Sequence, residues 1–131
     1  MITVEGKIKG KARPRFFNGR AITTTETVNY ENWVRISYQN QCGDYLEGSI
    51  RARIIAYYKI PKSYSKKRIE SIKDDLEYPT KKPDADNIAK IVLDSLNDIA
   101  FHDDSQIVEL TVIKRWTEEN ERVEFELEVV K

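Results

Sequence analysis

Residues 49–60, SIRARIIAYYKI, alternate with a period of two. Ile50, Ala52, Ile54, Ala56, Tyr58 and Ile60 make one apolar face, and Arg51, Arg53, Ile55, Tyr57 and Lys59 make the other. A strand patterned this way must bury its apolar face under a second layer, so the chain has to build a sheet with something packed on it. The second face, basic and amphipathic, suits solvent, a covering helix or nucleic acid.

The rest of the chain supplies that layer. Residues 2–9 alternate like a half-buried strand, and 107–116 and 122–130 do the same around the polar turn 117-TEENE-121, which predicts a hairpin. Asn18-Gly19 predicts a tight turn within a basic loop. From Thr25 to about Cys42 the spacing is helical, with Tyr30, Trp33, Val34 and Tyr38 inward and Glu31 and Arg35 outward. A short polar helix is expected from Ser65 to Asp74, and an amphipathic one from Asp86 to Ile99. The expected fold is α+β: one compact domain over residues 1–131, with a mixed sheet and packed helices.

Composition narrows the setting. Charged residues are 34% and hydrophobic ones 40% of 131 residues, the balance of a folded soluble chain rather than a disordered one. One cysteine cannot form an intrachain disulfide, no apolar run is long enough to span a bilayer, and the polar start has no signal-peptide core, so a cytoplasmic location and no membrane partner are expected. The 22 basic and 22 acidic residues cancel, yet Lys7, Lys9, Lys11, Arg13, Arg15 and Arg20 face only Glu5 within the first 20 residues. Such a cluster suits a polyanion.

The chemistry concentrates in 83-PDADNIAK-90 and 101-FHDDSQIVEL-110. On a helical wheel Asp86, Lys90, Asp94 and Asn97 share a stripe, opposite Ile88, Ile91, Val92, Leu96 and Ile99. A solvated amphipathic helix capped by Asp86 would look the same. Asp84 and Asp86, however, can point the same way from an extended entry, Lys90 follows one turn later, and 103-DDSQ-106 precedes a strand that can aim a side chain. Hard oxygen donors without a His/Cys cluster suit Mg²⁺ or Mn²⁺, and carboxylates, metal and lysine together suit phosphodiester hydrolysis. An EF-hand beginning at Asp84 fails at Ile88, Ala89 and Ser95, and the polar, proline-broken 78-YPTKKP-83 does not suit an aspartate-nucleophile phosphatase. His102, the only histidine, is a turn residue or an outer partner of the acids.

The segment 84-DADNIAKIVLDSLND-98, followed by 103-DDSQIVEL-110, resembles the signature of RusA-type Holliday junction resolvases, small endonucleases common in bacteria and prophages. The basic 11-KARPRF-16 resembles the opening of one branch. The resemblance implies metal-binding carboxylates at Asp84, Asp86 and Asp104, with Asp103 as a supporting ligand, a catalytic lysine at Lys90, and a structural or outer-sphere role for Asp94. It implies Mg²⁺ (or Mn²⁺) and no organic cofactor, a homodimer matching the two-fold symmetry of a four-way junction, and paired cuts in recombination and repair. Lys11, Arg13, Arg15, Arg20, Arg51 and Arg53 are the expected DNA contacts. Many relatives carry glycine near Asp98, where the helix ends. A convergence of Asp84, Asp86 and Asp104 within shared-metal reach is expected. The alternatives are a branched-DNA-binding module that does not cut, a flap or other branched-DNA nuclease with the same metal site, and an interaction protein whose acidic helix is merely solvated.

Overall fold

The computed structural model describes residues 1–11, 15–22 and 24–131, in the order β1 (Ile2–Glu5), β2 (Arg15–Phe17), β3 (Arg20–Ile22), α1 (Thr25–Gln41), β4 (Ile50–Lys59), α2 (Lys66–Lys73), α3 (Ala85–Ser95), β5 (Ile107–Thr117) and β6 (Arg122–Val129). A mixed sheet is arranged β1-β6-β4-β5, and β2 and β3 form a separate pair. The α+β architecture expected from the sequence is the one observed. In the β2–β3 turn Asn18 and Gly19 both have positive φ (51° and 77°), the conformation an Asn-Gly hairpin favours.

The sheet differs from expectation in one respect. β5 and β6 do not form a hairpin, because β4 lies between them, parallel to β5 and antiparallel to β6. The reason lies in β4 itself. Ile50, Ala52, Ile54, Ala56 and Tyr58 are buried on one face, and Ile55 is buried on the other. A strand this apolar is best placed with both edges paired. The segment 117–121 therefore spans a gap of two strand spacings, about 10 Å, within the reach of five residues. Parallel pairing of β4 with β5 needs a long crossover, and α2 and α3 lie in it.

One face of the sheet holds the core. Val4, Ile54, Val123 and Phe125 meet Val34 and Tyr38 of α1 and Ile88, Ile91, Val92 and Leu96 of α3. The inward arc of α1 is rotated from the expected one: Trp33 is 43% exposed, whereas Glu31 is buried. Glu31 lies on the same three-and-four spacing as Val34 and Tyr38, so the stripe that buries them also carries it inward. Arg35 does not point away either; its Nε donates to the Ser95 carbonyl at the end of α3 (2.9 Å), a favourable place for a cation.

α3 ends four residues before the expected Ile99. Asp98 adopts φ +63°, and its N–H donates to the Phe101 carbonyl at 2.7 Å, closing the turn. Aspartate tolerates this left-handed backbone better than most side chains.

Candidate active site

The acidic residues are positioned by α3 and the turn before β5. Asp84 is the N-cap of α3, with extended φ/ψ, but its carboxylate makes no capping hydrogen bond. Asp84, Asp86 and Lys90 are exposed, and Asp94, two turns beyond Asp86, is half-buried. The stripe read from the wheel is therefore the outward face of the helix, because Ile88, Ile91, Val92 and Leu96 occupy the inward one.

The DDSQ turn divides its labour. Asp103 caps a single 3-10 turn (Asp104–Gln106), with its Oδ2 accepting from the Ser105 N–H at 3.0 Å. Hydrogen bonding from the Ser105 side chain and then from its N–H holds the Asp103 carboxyl below the usual carboxylate range. Gln106 Oε1 accepts from the N–H groups of His102 (2.9 Å) and Asp103 (3.1 Å), while its amide donates to the Gly48 carbonyl at 3.0 Å. The Asp104 N–H donates to Asn97 Oδ1 at 2.8 Å, which ties this turn to the segment that follows α3. Burial, followed by the neighbouring Asp94 carboxyl and the charge of Asp103, pushes the Asp104 carboxyl above its ordinary range. His102 is exposed, with Nδ1 3.4 Å from Asp98.

The pair does not stand alone. Lys11 Nζ lies 2.8 Å from buried Glu31 and 3.6 Å from Asp94. Carboxyls are hard donors suited to Mg²⁺ or Mn²⁺, which take one or two carboxylates and complete their shell with water and phosphate. The expected convergence of Asp84, Asp86 and Asp104 is not found within one chain: Asp104 meets Asp94, ten residues and about 15 Å of helix from Asp84. Among the described residues no three His, Cys, Asp or Glu side chains are grouped to hold a metal.

The family description "Endodeoxyribonuclease RusA" matches residues 5–128. The chain belongs to the RusA endodeoxyribonuclease family. It is also 34% identical to the "Uncharacterized protein YqaN" of Bacillus subtilis (strain 168), over 89% of this chain and 87% of that protein. The RusA family defines the reaction class, hydrolysis of internal phosphodiester bonds in DNA.

In this RusA-family chain the start of α3 borders a basic cleft. An open cleft of about 340 Å³ is lined by Lys7, Lys9, Lys11, Lys82, Asp84 and Asn87, among others. Lys114 of β5 reaches the segment that precedes Asp84. Burial lowers its ammonium pKa, against the opposing pull of the Asp84 carboxylate. Its Nζ donates to the Lys81 carbonyl at 2.6 Å. Burial, Glu121 and Asp84 push the neighbouring Tyr58 hydroxyl up to about 12. Lys82, Lys114 and Glu31 are not among the functional residues expected from the sequence, where Lys7 and Lys9 stand only as part of the basic N-terminal cluster. Lys114 leaves a readable signal, a cation interrupting the apolar series Leu110, Val112 and Trp116.

The expected DNA contacts separate. Arg51 and Arg53 occupy the sheet face opposite α3, and Arg51 is ion-paired to Glu109 and Glu128. Lys11 is turned inward to Glu31. Arg20 is exposed beside the β2–β3 turn. Arg13 and the side chain of Arg15 lie outside the described residues.

Proposed function

We propose that the protein is a metal-dependent endonuclease that resolves four-way DNA junctions by paired, symmetric phosphodiester hydrolysis in recombination and repair, in a prophage setting. The observation that carries this reading is the Asp94–Asp104 carboxyl pair beside the outward stripe of Asp86 and Lys90, on a chain of the RusA family. Asp84 and Asp86 at the start of α3, and Asp104 with Asp94 about 15 Å of helix further on, supported by Asp103, are the residues that would hold Mg²⁺ or Mn²⁺ as two separate groups within one chain. Such an ion supplies Lewis acidity towards a phosphodiester oxygen and lowers the pKa of attacking water. Lys90, exposed one turn from Asp86, donates hydrogen bonds to charge building on the phosphate. The lysines of the cleft hold the flanking phosphates against the repulsion of the acids.

A two-fold dimer matches the symmetry of the junction. The surface that supports one is β5, an edge of the described sheet where Val108 and Leu110 are 57% and 48% exposed on an eleven-residue strand. Long apolar edges favour pairing with another chain. Leu110→Glu is expected to convert a dimer to a monomer in light scattering with its far-UV spectrum unchanged; a dimer that persists places the interface elsewhere.

Synthetic substrates test the function. With Mg²⁺, paired nicks near the crossover of a four-way junction and little cutting of linear duplex are expected. Cutting of flaps without junction resolution would assign a different branched substrate to the same site. Binding without cutting in either metal would make the protein a junction-binding module.

A further inference from the structure

We infer that Tyr58 and Lys114 are positioning residues for Asp84, gripping the segment that enters α3 and so fixing where that side chain stands against DNA; this rests on the reading of the α3 stripe as the site that cuts. Lys114 occupies an unusual place for a lysine. It shares a side of β5 with Val112 and Trp116, which pack against the core, and its ammonium is partly buried there. A cation in such a place needs a hydrogen-bond partner. The partner is a backbone carbonyl, that of Lys81, at 2.6 Å.

The neighbouring strand makes the matching contact. Tyr58 is 1% exposed, and its hydroxyl donates to the Pro83 carbonyl at 3.0 Å. In the β4–β5 register Ala56 pairs with Lys114 and Tyr58 with Trp116, so Tyr58 and Lys114 are diagonal neighbours on one face of the sheet. The ammonium lies 5.2 Å from the centre of the Tyr58 ring, and the ring meets Trp116 edge-on at 6.3 Å. Two sheet side chains thus hold the carbonyls of residues 81 and 83, immediately ahead of Asp84. The entry strand fixes the same place. The Lys11 N–H donates to the Asn87 carbonyl at 3.1 Å, and Gly10 packs so closely that a Cβ there would meet Pro83 Cβ at 2.7 Å.

Asp84 is what this grip leaves free. Its backbone is extended and its carboxylate makes no capping hydrogen bond, so the chain on either side is held while the oxygens stay available. Rigid support of this kind keeps a reacting group within about half an ångström of its working position. A misplacement of about 1 Å costs about 10²-fold in rate. Loss of either contact lets residues 81–84 shift, whereas the lysines that line the cleft still hold the DNA.

The test is single-turnover cleavage of a four-way junction with Mg²⁺, with junction affinity and thermal unfolding measured on the same proteins. Tyr58→Phe keeps the ring and removes one hydroxyl, and Lys114→Met keeps the stem and removes the ammonium. Each folded variant is expected to cut roughly 10–100-fold more slowly at unchanged junction affinity. Lys114→Arg, which can still donate to the Lys81 carbonyl, recovers most of the rate. Wild-type rates in folded Tyr58→Phe and Lys114→Met overturn the proposal, and so does a loss of rate matched by an equal loss of affinity. Should Lys114→Met not fold, Tyr58→Phe decides by the same two readouts. A wild type that resolves junctions, with both variants equally fast, sinks this inference alone. A wild type that cuts no junction sinks it together with the proposed function.

Discussion

Asp104→Asn should lose roughly 10²–10³-fold in junction cleavage while still binding the junction, and the metal-free protein should become more stable. The two effects share one cause. Asp104 is held against Asp94 by the Asn97 amide and by the turn that Asp103 caps, so its ionised form is opposed by burial and by a neighbouring carboxyl. A carboxyl whose pKa is raised on folding binds its proton more tightly in the native state, so its contribution to stability is fully present below the usual value of 3.8 and is lost as pH rises through the raised value. At neutral pH in EDTA the wild type therefore carries the repulsion and the asparagine variant does not. Thermal unfolding from pH 3 to 8 should show the variant's advantage growing with pH and then levelling off. A variant that is less stable at every pH would mean that Asp104 is structural rather than a strained ligand. The cleavage loss has a separate origin, since asparagine offers one neutral oxygen where two carboxylates face an arriving cation.

Phe125→Ala should cost roughly 3–5 kcal/mol of unfolding free energy, a large share of the roughly 5–15 kcal/mol that holds a domain together. Phe125 is fully buried in β6, between Ile2 of β1 and Ile54 of β4 in the sheet register, and its ring stacks on Tyr38 of α1 at 6.2 Å between centroids. Removing it opens a cavity where three strands and a helix meet, and the sheet cannot collapse without moving α1. Urea denaturation followed by circular dichroism measures the loss. A cost below about 1 kcal/mol would mean that α1 and the sheet are less tightly packed together than described.

The parts of the fold legible in the sequence are those that depend on one element's own period. The two-residue alternation of β4 and the amphipathic wheel of α3 follow from where each side chain must point, and Asn18-Gly19 forms the turn its backbone preference dictates. What escaped depends on relations between elements. The alternation of β5 and β6 says that both are strands, not that β4 will lie between them. Glu31 looks like a surface charge until the inward arc of α1 is rotated towards α3. The candidate site divides along the same line. The outward stripe of Asp86, Lys90 and Asp94 is a local property of one helix. The partnership of Asp104 with Asp94 depends on Asn97 and the turn at 103–106, and the inward turn of Lys11 depends on a buried glutamate 20 residues away.

The central claim is that the acidic stripe of α3 cuts DNA. Asp86 offers the cleanest test, because it is exposed in the first turn and its loss leaves the core untouched. Purified wild type and Asp86→Asn should be compared on the same four-way junction with Mg²⁺, scoring paired nicks and binding together. The wild type should resolve the junction, and Asp86→Asn should bind it with similar affinity and leave it intact. Unimpaired resolution by Asp86→Asn would contradict the assignment of the site.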